Sequence, residues 1–284
     1  MEHYSPLRYP GGKGKIANFI KSIFEKNLLN DGCYVEPYAG GASVALSLLF
    51  GEYASQIIIN DFDKAIFSFW HSVLNKPDEL CKLINDTPVT VDEWRHQKEI
   101  QKRKKISYLE LGFSTFFLNR TNRSGIIKAG VIGGNDQKGN YKIDARFNKK
   151  ELISRIERIA KYRDRITLYN LDAIELIKTI SKNLPTQTLI YFDPPYYVKG
   201  KDLYVNAYKH DDHVLVSKMI NGISKHKWLV SYDNAPEIKK MYKTNKKFTY
   251  YLNYSAVNST SGNEVMIYSE NLFIPRESRP TLVK

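Results

Sequence analysis

Seven consecutive residues, Tyr191-Phe192-Asp193-Pro194-Pro195-Tyr196-Tyr197, place a carboxylate, two prolines and aromatic rings directly after the apolar run Thr188-Leu189-Ile190. An apolar run that stops at an acidic residue reads as a buried strand with Asp193 at its carboxyl end, the edge where ligands bind in open α/β sheets. The prolines stiffen the exit, so the Asp193 carboxylate, a carbonyl and an aromatic ring face one space: hydrogen-bond acceptors beside a stacking surface. Asp-Pro-Pro is also an ordinary turn opening.

A second group is Tyr34-Val35-Glu36-Pro37-Tyr38-Ala39-Gly40-Gly41-Ala42-Ser43-Val44. A strand ends at Glu36, and the glycine pair lets the backbone approach a ligand before a helix opens. Asp61 follows Gly41 by twenty residues, at the end of the next strand, where a carboxylate can accept hydrogen bonds from ribose hydroxyls. The pattern reads as an adenosine site. Its glycines do not spell the dinucleotide fingerprint, and Glu36 would repel a pyrophosphate, so a nicotinamide dehydrogenase is disfavoured. The third group, Ser5-Pro6-Leu7-Arg8-Tyr9-Pro10-Gly11-Gly12-Lys13, brings glycine, lysine and a helix start together but lacks the Walker spacing of a nucleotide hydrolase. His210 and His213 have no third ligand nearby, so no metal is expected.

The elements that must position these residues form two stretches of alternating strand and helix. The first runs over residues 1–75, with strands near 34–37 and 56–60 and helices over 13–29, 42–50 and 64–74. The second runs over 150–284, with strands at 166–169, 188–192 and 228–232, helices over 150–162, from 172 and over 214–226, and a closing hairpin of 248–254 with 264–269. Such alternation predicts an α/β fold with a mostly parallel sheet, covered on both faces and closed by an antiparallel hairpin. Residues 76–149 break the rhythm with a basic helical stretch and a glycine-rich loop, and read as an inserted, mainly helical domain.

The chain has 284 residues with a formal net charge of +13, and 42% of it is hydrophobic. That length and composition exclude wholesale disorder and suggest one large domain carrying an insert. Two cysteines, Cys33 and Cys81, cannot make a disulfide framework, so a cytoplasmic location is expected. No run approaches a membrane span. Charge alone leaves nucleic acid open, but its distribution is informative. Nine Lys or Arg fall between Arg95 and Lys128 against Glu99 and Glu110, a local net of +7.

Together and in this order, the three segments resemble the Dam-like DNA adenine methyltransferases, which use S-adenosylmethionine. In that family Pro-Gly-Gly-Lys opens the protein, Glu-Pro-x-x-Gly-Gly follows the first strand, and Asp-Pro-Pro-Tyr comes after an inserted target-recognition domain. The resemblance implies a Rossmann-like methyltransferase sheet over 1–75 and 150–284, with 76–149 as the recognition domain. It implies that Tyr9, Gly11, Gly12 and Lys13 border the methionine part of the cofactor. Glu36, Tyr38, Gly40 and Gly41 line its centre, Asp61 holds the ribose and Asp172 the adenine edge. Asp193, Pro194, Pro195 and Tyr196 face both cofactor and target. Asp172 could instead simply cap the helix that follows it.

For the insert, the resemblance implies a grip on duplex DNA through Arg120, Asn122, Arg123 and Lys128, and the charge run suggests that Lys102, Arg103, Lys104 and Lys105 add to it. A solvated helix face is an equal reading of Lys102 through Lys105. Arg123, Ser124 and Lys128 stand where GATC-reading enzymes carry a Tyr-Asn pair and an Arg. The expected enzyme is a monomer that needs no metal and has double-stranded DNA as substrate, with a cognate restriction nuclease as a possible partner. Methylation of adenine in RNA, or a non-catalytic subunit that binds DNA and cofactor, are the alternatives.

Overall fold

The computed structural model describes residues 3–8, 16–198, 208–253, 261–277 and 279–280. The chain divides into two compact units, one of residues 1–12 with 63–164 and the other of 13–62 with 165–284.

The second unit is built on seven strands: β1 (Gly32–Glu36), β2 (Ala54–Asn60), β3 (Ile166–Tyr169), β4 (Thr188–Phe192), β5 (Lys227–Asp233), β6 (Lys246–Asn253) and β7 (Ser261–Tyr268). Their order across the sheet is β3-β2-β1-β4-β5-β7-β6. Pairing is parallel from β3 to β5, and β7 runs antiparallel to both β5 and β6. This is the mostly parallel sheet with a closing hairpin that the sequence predicts. The chain winds outward from β1 to β3 and returns to β4, so the switch point lies between β1 and β4, where open sheets bind ligands.

Strand alternation assigns the two faces of the sheet. On one, Cys33, Val35, Ile190, Phe192, Val230, Val265 and Ile267 meet Leu176 of α8 (Ala173–Ile180), Val216 and Ile220 of α9 (His210–Asn221), and Ile238 of α10 (Pro236–Met241). Burying each large aliphatic or aromatic side chain here contributes about 1.5–3 kcal/mol. The other face is more polar near the carboxyl ends, carrying Tyr34, Glu36, Tyr191 and Ser231. Over it lies α1 (Ala17–Lys26), with Phe24 6.0 Å from Tyr34 and Phe19 6.0 Å from Phe248 between ring centroids. Beside α1 packs α2 (Ser43–Phe50). Helix α9 begins four residues before the expected 214, because the Lys209 N–H donates to Asp212 Oδ2 at 2.8 Å and closes its first turn. It ends at Asn221, before Gly222, rather than at 226.

The first unit consists of α3 (Lys64–Asn75), α4 (Pro77–Asp86), α5 (Val91–Ile100), α6 (Tyr108–Thr121) and α7 (Lys149–Ala160), with the loops between them. Helix α6 is buried on all sides from Leu111 to Asn119, the pattern of a central core helix. Its start is fixed by a capping box in which Ser107 and Glu110 satisfy each other's backbone N–H groups. Phe116 of α6 stacks on Phe69 of α3 at 5.8 Å and meets Phe147 edge-on at 5.4 Å.

This unit is wider than the expected insert of 76–149, for three physical reasons. Helix α3 packs on α6, α7 packs on α4, and the amino-terminal segment is bonded to α6. In that last contact the Arg8 N–H donates to Asn119 Oδ1 and Asn119 Nδ2 donates back to the Arg8 carbonyl, both at 2.7 Å.

Candidate active site

In the sheet unit the carboxyl ends of β1 to β5 bring carboxylates to one edge. Glu36 ends β1 and is 5% exposed. Its Oε1 accepts from the Tyr34 hydroxyl at 3.0 Å and from the Ala45 N–H, in the first turn of α2, at 3.2 Å. Burial pushes the Glu36 carboxyl up to about 8; the Tyr34 and Ala45 hydrogen bonds oppose the rise, and the charge of Asp193 adds to it. Glu36 and Asp193 are therefore electrostatic neighbours across the switch point.

Asp193 follows β4 and is half-buried, and Pro194, Pro195 and Tyr196 after it are buried. Register explains what holds Asp193. Tyr191 pairs with Leu229 and Phe192 with Val230, so Asp193 stands level with Ser231 and on the same face. The Ser231 hydroxyl donates to Asp193 Oδ1 at 2.7 Å, and the Tyr191 hydroxyl lies 2.7 Å from Ser231 Oγ. The next residues are fastened in turn. The Tyr196 hydroxyl donates to Glu264 Oε1 on β7, and Tyr250 donates to Glu264 Oε2. Asp233, at the end of β5, accepts the N–H groups of Tyr197 and Val198, each at 2.8 Å.

The expected cofactor residues within the described part cluster at the ends of β1, β2 and β3. Gly40 has φ +47°, a left-handed conformation that side chains disfavour, and its N–H donates to Asp61 Oδ2 at 2.9 Å. Asp61 thus shapes the turn that contains Gly40 and the buried Gly41. The Tyr38 hydroxyl lies 3.0 Å from that of Tyr208, with the rings edge to face. Asp172 caps α8 through the Ile174 N–H at 2.9 Å, and its charge also reaches the Tyr38 and Tyr208 hydroxyls. Tyr9, Gly11, Gly12 and Lys13 lie outside the described residues.

Sequence reasoning missed four residues that hold this edge together: Asn60, Ser231, Asp233 and Glu264. Asn60, 1% exposed, donates to the carbonyls of Pro37 and Leu171 and accepts the Leu171 N–H. Polar residues at strand carboxyl ends were the available signal for Asn60 and Asp233. Nothing local marks Glu264, whose role depends on strand pairing. The two histidines considered for metal face tyrosines: His210 Nδ1 lies 2.9 Å from the Tyr197 hydroxyl and His213 Nδ1 3.0 Å from the Tyr232 hydroxyl. Among the described residues no group of three or more His, Cys, Asp or Glu could hold a metal ion.

In the helical unit the expected DNA contacts separate into four environments. Lys102, Arg103, Lys104 and Lys105 are exposed in the connection between α5 and α6, not on a helix face, and Lys102 pairs with Glu99 at 2.6 Å. Arg123 and Lys128 are exposed on the loop after α6. Arg120 is partly buried and donates from Nε to the Arg146 carbonyl at 2.6 Å. Burial, reinforced by the charges of Arg8, Arg155 and Arg146, pushes the Arg120 guanidinium down to about 9. Four guanidiniums thus share one region.

Asn122 corrects the expectation of a DNA contact. It is fully buried, accepts from Trp94 Nε1 at 2.6 Å, and donates to the carbonyls of Ile126 and Ile127 at 2.9 and 2.8 Å. Its amide is spent on shaping the loop that carries Arg123 and Lys128. Gly125 closes the same loop at φ +75°, where a Cβ would stand 2.5 Å from the Arg8 carbonyl.

Several known proteins are similar to this chain. The Type II methyltransferase M.MjaIII of Methanocaldococcus jannaschii is 24% identical over 248 residues, covering 79% of this chain and 82% of that protein. Modification methylase StsI of Streptococcus sanguinis is 32% identical over 90 residues, covering 32% of this chain and 12% of that protein. Among solved structures, the rRNA methyltransferase aviRa from Streptomyces viridochromogenes is 15% identical with a TM-score of 0.41, covering 96% of this chain and 90% of that one. A family model described as D12 class N6 adenine-specific DNA methyltransferase matches residues 9–257, nearly the whole chain, and it is to this family of adenine-specific DNA methyltransferases that the protein belongs.

Proposed function

We propose that the protein methylates N6 of an adenine flipped out of duplex DNA at a defined sequence, as the modification partner of a restriction nuclease. It acts as a monomer in the cytoplasm, without a metal. The observation that carries this reading is the placement of Asp193 at the sheet's switch point, its carboxylate oriented by Ser231 and its following residues fastened to β5 and β7. The names of the relatives support a modification role.

The donor set fits S-adenosylmethionine. Asp61, Asp172 and Asp193 gather carboxylates at the ends of β2 to β4, which suits a cationic sulfonium, an ammonium and ribose hydroxyls and repels a polyphosphate, while the buried Glu36 carboxyl adds a hydrogen-bonding group at the end of β1. Gly40, in its left-handed turn, lets the backbone come close. When bound, the cofactor supplies a methyl group already activated for transfer.

The protein's task is then to position the acceptor. The adenine amine is a poor nucleophile because its lone pair is delocalised into the ring. The Asp193 carboxylate and the Pro194 carbonyl accept its two N–H hydrogens, which favours a tetrahedral nitrogen with its lone pair directed outward. Holding the reacting groups about 3–3.5 Å apart in line supplies much of the acceleration. Tyr196 stacks on the flipped base, contributing about 1–3 kcal/mol, against an unstacking cost of a few kcal/mol. The arginines of the helical unit offset the remainder by gripping phosphates.

The test is transfer of radiolabelled methyl groups from S-adenosylmethionine to mixed-sequence duplex DNA, with structured RNA in parallel. Label in N6-methyladenine of the DNA supports the reading. Label confined to RNA, or DNA binding without transfer, overturns it.

A further inference from the structure

Tyr191, Ser231 and Asp193 form a hydrogen-bond chain whose polarity can be derived. Serine has one hydroxyl hydrogen, and here it points at Asp193 Oδ1. The bond between Tyr191 and Ser231 must therefore run from the tyrosine hydroxyl to Ser231 Oγ. Tyr191 is 2% exposed and Ser231 is fully buried, so solvent does not compete with the bond between them. Each donor polarises the next, and a carboxylate terminus makes the last bond charge-assisted.

The chain reaches Asp193 from β4 and β5, two strands of the rigid sheet, rather than from the loop that Asp193 begins. We propose that Ser231, held by Tyr191, is a positioning residue for methyl transfer: it fixes the rotation of the Asp193 carboxylate that receives the target amine. This rests on the role proposed for Asp193. Ser231 itself touches neither the amine nor the cofactor. Removing it should slow the chemical step and leave binding of both partners in place.

The experiment compares full-length Ser231→Ala, Ser231→Thr and Tyr191→Phe with the parent enzyme under single-turnover conditions. Cofactor affinity, DNA affinity and the fluorescence of 2-aminopurine at the target position are read alongside. Ser231→Ala is expected to lower the methyl-transfer rate by about tenfold to a hundredfold, the loss expected for one hydrogen bond to a charged group. Both affinities and the flipping signal should stay within about twofold, as for an interaction used after binding. Ser231→Thr, which keeps the donor, should recover most of the rate. Tyr191→Phe, which keeps the serine donor but loses its polarising partner, should fall between. If Ser231→Ala does not fold, Tyr191→Phe decides the matter.

A folded Ser231→Ala or Tyr191→Phe enzyme with the parent rate overturns the proposal. So does a rate loss matched by an equal loss of cofactor affinity, which marks a structural role. Asp193→Ala separates the two levels. If it is inactive while Ser231→Ala is fully active, only the positioning inference falls; if it is active, the role of Asp193 itself falls.

Discussion

Asn60 and Leu171 bond to each other as two paired strand residues do: the Asn60 amide donates to the Leu171 carbonyl and its oxygen accepts the Leu171 N–H, both at 2.9 Å. The same amide donates to the Pro37 carbonyl at 2.8 Å. One buried side chain therefore ties the loop after β1, which contains Tyr38 and Gly40, to the loop after β3, which contains Asp172.

Asn60→Ala should loosen both loops. It leaves backbone groups of Pro37 and Leu171 without this partner, at a cost of about 1–3 kcal/mol in stability. Urea unfolding should show that loss, and calorimetry should show weaker S-adenosylmethionine binding. Unchanged cofactor affinity would separate this knot from the binding site.

Glu36 gives stability a pH signature. Its folded carboxyl is raised from 4.5 to about 8, chiefly by burial, so the folded state holds a proton that the unfolded chain releases. Its contribution is fully present below pH 4.5 and is lost as pH rises through about 8. Glu36→Gln keeps an acceptor for Tyr34 and Ala45 but cannot ionise. Urea midpoints measured across this window should fall less steeply with pH in the variant than in the parent. Parallel slopes would show that the Glu36 carboxyl is not raised.

Glu264 is the acceptor shared by Tyr196 and Tyr250. Glu264→Ala removes it from a buried site and should cost about 1–3 kcal/mol, with a lower thermal midpoint. Tyr196 should then hold the flipped base less well, so 2-aminopurine fluorescence in the DNA complex should change while affinity for DNA barely moves. An unaltered signal would detach Glu264 from the Tyr196 platform.

The helical unit should show strong salt dependence. Every phosphate that the protein no longer neutralises reduces the slope of log affinity against log salt by about 0.9. Neutralising Lys102, Arg103, Lys104 and Lys105 together should flatten the slope by about 0.9 for each of those residues that touches phosphate. No change would return them to a solvated loop. Arg120→Gln should weaken DNA binding by itself, because Arg120 belongs to a cluster with Arg8, Arg146 and Arg155.

The positions of the strands, their mostly parallel pairing and the carboxylate edge were largely legible from residues alone, whereas the order of the strands across the sheet was not. Thr188 to Phe192 announces β4 because a fully buried parallel strand must be continuously apolar, and Asp193 announces its end. The unit boundaries were not legible. Residues 64–74 carry a helical period whichever unit they join, and only the packing of Phe69 on Phe116 decides it. Asn122 misled because it lies in the segment that resembles the family's recognition loop, which implied a DNA contact. Its burial depends on Trp94, 28 positions away. Ser231 and Glu264 act through strand register, which composition and local motifs do not encode.

The central claim is that Asp193 directs methylation of adenine in duplex DNA. The most direct test is to express the parent and Asp193→Ala proteins in a host without DNA methylation and to sequence its methylated adenines. The account predicts N6-methyladenine at one short recognition sequence with the parent and none with a folded, cofactor-binding Asp193→Ala variant. Methylation retained by that variant, or an active parent that leaves adenine unmodified, would contradict it.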